Sequence, residues 1–110
     1  MNIDRKAAIA AWKDRKVEAG IFAIRCLATG AQWLGQAPDV ATVQTRHWFS
    51  LRLGSHSNRA LQAAWLAQGE AGMAFEVLEL LPDEDDPIAR TSQLRDALRR
   101  WRNQLAAPAV

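Results

Sequence analysis

Two short apolar runs, Ile21–Cys26 and Gln32–Gly35, stand on either side of Thr29-Gly30, and this strand, turn, strand spacing limits what the chain can become. Such runs bounded by a glycine turn read as an antiparallel hairpin. Beyond the hairpin the pattern is mostly helical. Pro38-Asp39 supplies a stop and an N-cap, and Val40, Val43, His47 and Leu51 recur at helical spacing up to about Leu53, where Gly54 ends the helix. Ser57 or Asn58 caps a second helix, which carries Leu61 and Trp65 and closes at Gly69. Met73 to Leu81 reads as a third strand, with Met73, Phe75 and Val77 on one face. Pro87, a residue favoured at the first helical position, opens a last helix with Leu94, Leu98, Trp101 and Leu105 facing inward. Ahead of the hairpin, Asp4 to about Val17 is expected to be helical, broken at Ala19-Gly20. The expected order is α-β-β-α-α-β-α, an α+β domain whose small three-stranded antiparallel sheet is flanked by helices.

At 110 residues the chain suits one domain, 1–110, with 1–18 as a helical extension and 19–106 as the core. No apolar run approaches the length needed to span a bilayer, so no membrane association is expected. The charged start, Met-Asn-Ile-Asp-Arg-Lys, does not lead into a secretory apolar segment, and a cytoplasmic location is expected. Cys26 is the only cysteine, which excludes an internal disulfide; it has no Cys or His partner at metal-ligand spacing and reads as a small buried strand residue.

The net charge is only +2, but it is unevenly spread. No acidic residue lies between Asp39 and Glu70, while Arg46, His47, Arg52, His56 and Arg59 all do. Glu70 to Asp86 then holds seven acidic residues and no basic one, and the C-terminal segment returns to Arg90, Arg95, Arg99, Arg100 and Arg102 against Asp96 alone. Separation of this kind suits a basic face for a polyanion as well as an ordinary solvated surface.

Further motifs succeed the hairpin in order. Gly20-Ile21-Phe22 and Trp33-Leu34-Gly35 are followed by Leu53-Gly54-Ser55-His56-Ser57-Asn58, by Leu61-Gln62-Ala63-Ala64-Trp65, by Gly69-Glu70 and by Phe75-Glu76-Val77-Leu78-Glu79. From about Gly20 to Leu81 this series resembles the GIY-YIG nuclease superfamily. The Trp-Leu-Gly-Gln-Ala-Pro form resembles its small stand-alone bacterial members.

The resemblance implies metal-assisted cleavage of DNA, and it places the family's working residues on Phe22, Trp33, Val43 and Arg90. Phe22 and Trp33 stand where tyrosines activate water, Val43 where an arginine steadies the phosphate, and Arg90 where a glutamate holds the metal. None of the four can perform that role: phenylalanine has no proton to give, indole only donates, valine carries no charge and a guanidinium cannot ligate a cation. Asp96 is the only carboxylate side chain after Pro87. The acids Asp83 to Asp86 read as caps and dipole partners for the last helix. No metal site and no cofactor are expected; Mg²⁺ or Mn²⁺ enters only if cleavage survives.

Three readings compete. In the first, the domain is catalytically impaired or inactive and binds nucleic acid, DNA before RNA, through Arg46, Arg52, Arg59, Arg95, Arg99 and Arg102. The second is a protein-interaction or homo-oligomer module, in which Trp33 either plugs the old cleft or offers a flat surface to a base or partner. The third is a divergent endonuclease using Arg46 and His47, with His47 as the remaining general base. His47 also falls on the apolar series of its helix, where a packed histidine with one hydrogen bond is the plainer reading, and His56 reads as a residue fixing its turn. Trp12, Trp48, Trp65 and Trp101 read as core residues.

Overall fold

The computed structural model describes residues 17–110. The helix expected from Asp4 to Val17, with Trp12, lies outside the described residues but for its last one. The elements are β1 (Gly20–Cys26), β2 (Gln32–Ala37), α1 (Val40–Leu53), α2 (Arg59–Gln68), a 3-10 turn at Glu70–Gly72, β3 (Met73–Leu80) and α3 (Pro87–Leu105). The sheet order is β2-β1-β3, with both pairings antiparallel. From β1 onward, the α+β architecture is the one the sequence predicts.

β1 is the central strand, and helices cover it on both faces. Phe22, Ile24 and Cys26 point to one side, where they pack with Trp33 and Met73 of the neighbouring strands and with α1 and α2 through Val43, Leu51, Leu61 and Trp65. Trp48 and Trp65 meet edge to face there, 5.4 Å apart. Ile21 and Ala23 point to the other side, where α3 presents Leu94, Ala97, Leu98 and Trp101. This double cover explains why β1 is almost continuously apolar, with no polar residue alternating until Arg25.

Local capping sets the helix boundaries. Asp39 Oδ1 accepts from the Ala41 N–H at 3.0 Å, Asn58 Oδ1 from the Leu61 N–H at 3.0 Å, and Asp86 Oδ1 from the Ile88 N–H at 3.0 Å. Glu84 supports the last of these by accepting the Asp86 N–H. α1 stops at Gly54, whose φ of 73° is the left-handed value a C-terminal glycine supplies.

Two details depart from expectation. β2 continues past Gly35 to Ala37, because Gln36 and Ala37 still pair with Ile21 and Gly20. β3 is not a regular alternation: Ile21 faces Glu79 while Phe22 faces Val77, so Leu78 is an extra residue forming a bulge. Leu78 alternates to the α3 side, and the bulge brings Glu79 to that side as well; there Glu79 Oε1 accepts from Trp101 Nε1 at 2.7 Å and from Arg100 Nη2 at 3.1 Å. The bulge follows Val77, so Met73, Phe75 and Val77 share one face opposite Cys26, Ile24 and Phe22, as the sequence predicts; Val77 is 40% exposed on this edge strand.

Candidate functional site

On the α1 and α2 side of the sheet lies a cleft of about 340 Å³. Phe22 and Val43 are its buried apolar floor. Arg46, His47 and Ser50 reach it from α1, His56 and Ser57 from the α1–α2 turn, and Val110 from the C-terminal segment. The helical spacing of His47 and the reversal at Gly54 bring the two histidines together although nine positions separate them.

Of the four family positions, only two meet here. Phe22 is 1% exposed, stacked on Phe75 and tilted against His47, with ring centroids 5.3 Å apart in each case. Val43 puts a hydrocarbon where a phosphate-binding cation is expected by resemblance. Trp33 is 6% exposed, belongs to the core and does not line the cleft. Of the two alternatives for Trp33, the flat surface for a base or a partner is corrected, because a large indole buried in the core offers little open face. Arg90 sits on α3, across the sheet, and its Nη1 donates to Gln93 on the same helix. A hard divalent cation needs anionic oxygen ligands, yet the cleft lining contains no Asp or Glu side chain and includes Arg46. The described residues also contain no group of three or more His, Cys, Asp or Glu able to hold a metal. The residues present do not fit the family's metal.

Hydrogen bonding assigns the histidine protons. The Asn58 N–H donates to His56 Nδ1 at 3.0 Å, so neutral His56 carries its proton on Nε2. That nitrogen lies 2.8 Å from His47 Nδ1, which must accept, leaving the proton of neutral His47 on Nε2. Charging His47 would place a second proton against the His56 N–H. Burial, followed by His56 and Arg46, pushes the His47 pKa down to about 4, and burial lowers His56 as well. At neutral pH His47 thus offers a donor at Nε2, and its one accepting nitrogen is already occupied. This geometry does not suit the general-base role.

The pair also makes stability depend on pH. The unfolded chain takes up protons near the ordinary histidine value of 6.5, before the folded His47 does at about 4. Stability from the pair is therefore complete above about pH 6.5 and falls as pH drops toward 4. His47 is half-buried and solvent screens it, so the loss between pH 7 and pH 5 is expected to be about 1 kcal/mol. Urea unfolding at the two pH values should show it in the wild type and show a smaller change in His47→Gln.

The six arginines named from sequence do not form one surface. Arg46 and Arg59 line two adjoining hollows on the cleft side. Arg52 is tied to Glu70 by Nε–Oε1 and Nη2–Oε2 contacts of 2.8 and 3.0 Å. Arg95, Arg99 and Arg102 lie on α3, beyond the sheet, where Arg99 faces Asp96 at 3.6 Å and Arg102 Nε donates to the Ala107 carbonyl. Sequence reading did not find Ser50, Ser57, Asn58 or Val110 as parts of the site. A hydroxyl-rich turn was the one available signal, and for Val110 there was none.

No protein-family model and no curated protein matches the sequence. Solved structures do match by shape. The catalytic domain of the intron endonuclease I-TevI, in a point-mutated form, superposes with a TM-score of 0.69 at 24% identity, covering 81% of this chain and 84% of that one. A second structure, of the catalytic domain of homing endonuclease I-TevI, gives a TM-score of 0.68 at 24% identity and covers 80% and 88%. The chain has the GIY-YIG catalytic-domain fold that the sequence motifs imply.

Proposed function

We propose that this domain binds nucleic acid, as duplex DNA, through the cleft and the adjoining α1–α2 turn, and does not cleave it. The observation that carries the reading is chemical: from Arg46 to Arg59 this side presents cations, hydroxyls and a histidine N–H, with no acidic side chain lining either hollow. The two hollows share His56 and Ser57, so the donors run as one groove. Donors without carboxylates suit phosphate oxygens. The same fold serves as an endonuclease catalytic domain in I-TevI, but here no phenol and no Asp or Glu side chain lines the cleft to activate water or hold a metal.

Fluorescence anisotropy with a labelled duplex across salt concentrations tests this. Affinity should fall with salt at a slope of about 0.9 per phosphate neutralised. Arg46→Ala should weaken binding several-fold and reduce the slope by about 1. No binding at low salt, or an affinity indifferent to salt, would remove the proposal. Plasmid cleavage by a clean preparation with Mg²⁺ or Mn²⁺, abolished by His47→Ala, would instead support the endonuclease reading.

A further inference from the structure

The geometry points to Gln62 as the positioning residue of the groove: it holds the turn that sets His56 against His47, and so keeps the His47 Nε2–H open to the cleft as the contact for a phosphate oxygen. The inference rests on the nucleic-acid reading above and names what keeps that site in its binding form.

Gln62 is the only polar side chain buried among the described residues, at 8% exposed. An amide so placed needs partners at both ends. Its Nε2 donates to the Leu51 carbonyl at 3.0 Å, in the last turn of α1, where the helix itself supplies no partner, and its Oε1 accepts the His56 N–H at 3.1 Å. One side chain on α2 therefore ties the end of α1 to the turn that follows it. His56 is fixed a second time at its ring, because Nδ1 accepts the Asn58 N–H. Held at backbone and ring, His56 keeps its Nε2 aimed at His47 Nδ1.

The consequence falls on His47. Its ring is tilted against Phe22 and stacked on His56, with centroids 5.3 and 5.1 Å apart, which limits its freedom to turn. Arg25 Nε is the one side-chain nitrogen or oxygen buried without a partner among the described residues. His47 Nε2 also lacks a partner and is therefore open to solvent, in the cleft that the ring lines beside Arg46. A neutral imidazole released from His56 would exchange its proton between the two nitrogens. With the proton on Nδ1, Nε2 would present a lone pair to an entering phosphate and repel it. The bond from His56 removes that form, and Gln62, itself buried, keeps the bond in place.

NMR of the ring nitrogens and duplex binding, both on the full chain, test this. In the wild type His47 should show Nε2 protonated and Nδ1 accepting. Gln62→Met keeps the side-chain length and removes both polar ends, and His47 should then show the two tautomers in exchange. The labelled duplex should bind roughly 3–10-fold more weakly, the net worth of one hydrogen bond. The salt slope should stay as in wild type, because a neutral donor displaces no counterion. In a His47→Ala background the same change should cost nothing further. Should Gln62→Met not fold, Gln62→Asn, too short by one methylene to reach both partners, is expected to give the same results. A wild-type His47 protonated on Nδ1, a ring signature unaltered by the variant, or an equal loss of affinity with and without His47 overturns the positioning role and leaves the nucleic-acid reading standing. No binding of duplex by the wild type overturns both.

Discussion

Trp33→Ala is expected to destabilise the domain by about 3–5 kcal/mol, a large share of the total for a chain of this size. Trp33 is 6% exposed and packs into the core between the sheet and the first two helices. Truncation removes most of a large buried surface and leaves a void lined by groups that are themselves fixed, so little collapse can offset it. Urea denaturation followed by tryptophan fluorescence from the remaining indoles measures the loss, and a change below about 1 kcal/mol would show that the ring is not a core element. The result bears on function too. Because the side chain at 33 does not line the cleft, Trp33→Tyr is not expected to place a phenol in it, and introducing the four residues that the resemblance names is not expected to produce metal-dependent cleavage.

The second large effect is expected at Gly20. A Cβ there would stand 2.2 Å from the Glu79 carbonyl oxygen and 3.1 Å from Val40 Cγ1. The first obstacle is backbone, inside the bulge, and Glu79 is held from the other side by Trp101 and Arg100. Gly20→Ala therefore has to move a paired strand and should cost about 2–3 kcal/mol. That corresponds to a fall in melting temperature of about 10 °C or more. A similar loss in Gly30→Ala would point to glycine flexibility instead, since a Cβ on Gly30 would meet nothing within 4 Å and the residue departs from ordinary backbone only in its φ of 76°.

The contrast between these positions shows how much the sequence disclosed. Asp39, Gly54, Asn58, Asp86 and Pro87 act on their own neighbours in the chain, so the helix limits were readable from local chemistry. The β3 bulge was not, because the sequence from Met73 to Leu81 contains no insertion signal; its register depends on Gly20 and on bonds from α3 to Glu79. The arginines were correctly seen as charges, but which side of a sheet a helix covers is decided by packing, and α3 packs opposite the cleft. The candidate site was legible at Arg46 and His47 as residue types. Their relation to His56 and Asn58 arises only when the chain reverses at Gly54.

Phe22 and Gly35 have a shared consequence. The ring of Phe22 comes so near that a Cβ on residue 35 would lie 2.4 Å from its Cζ. The two motif tripeptides are thus a lock and its keyhole, and each constrains the other through shape, with no need for either to react. A search pattern built on the pair sorts proteins by steric fit. It reports the fold and is blind to whether a protein cuts, which a second filter that reads ionisable oxygen has to decide.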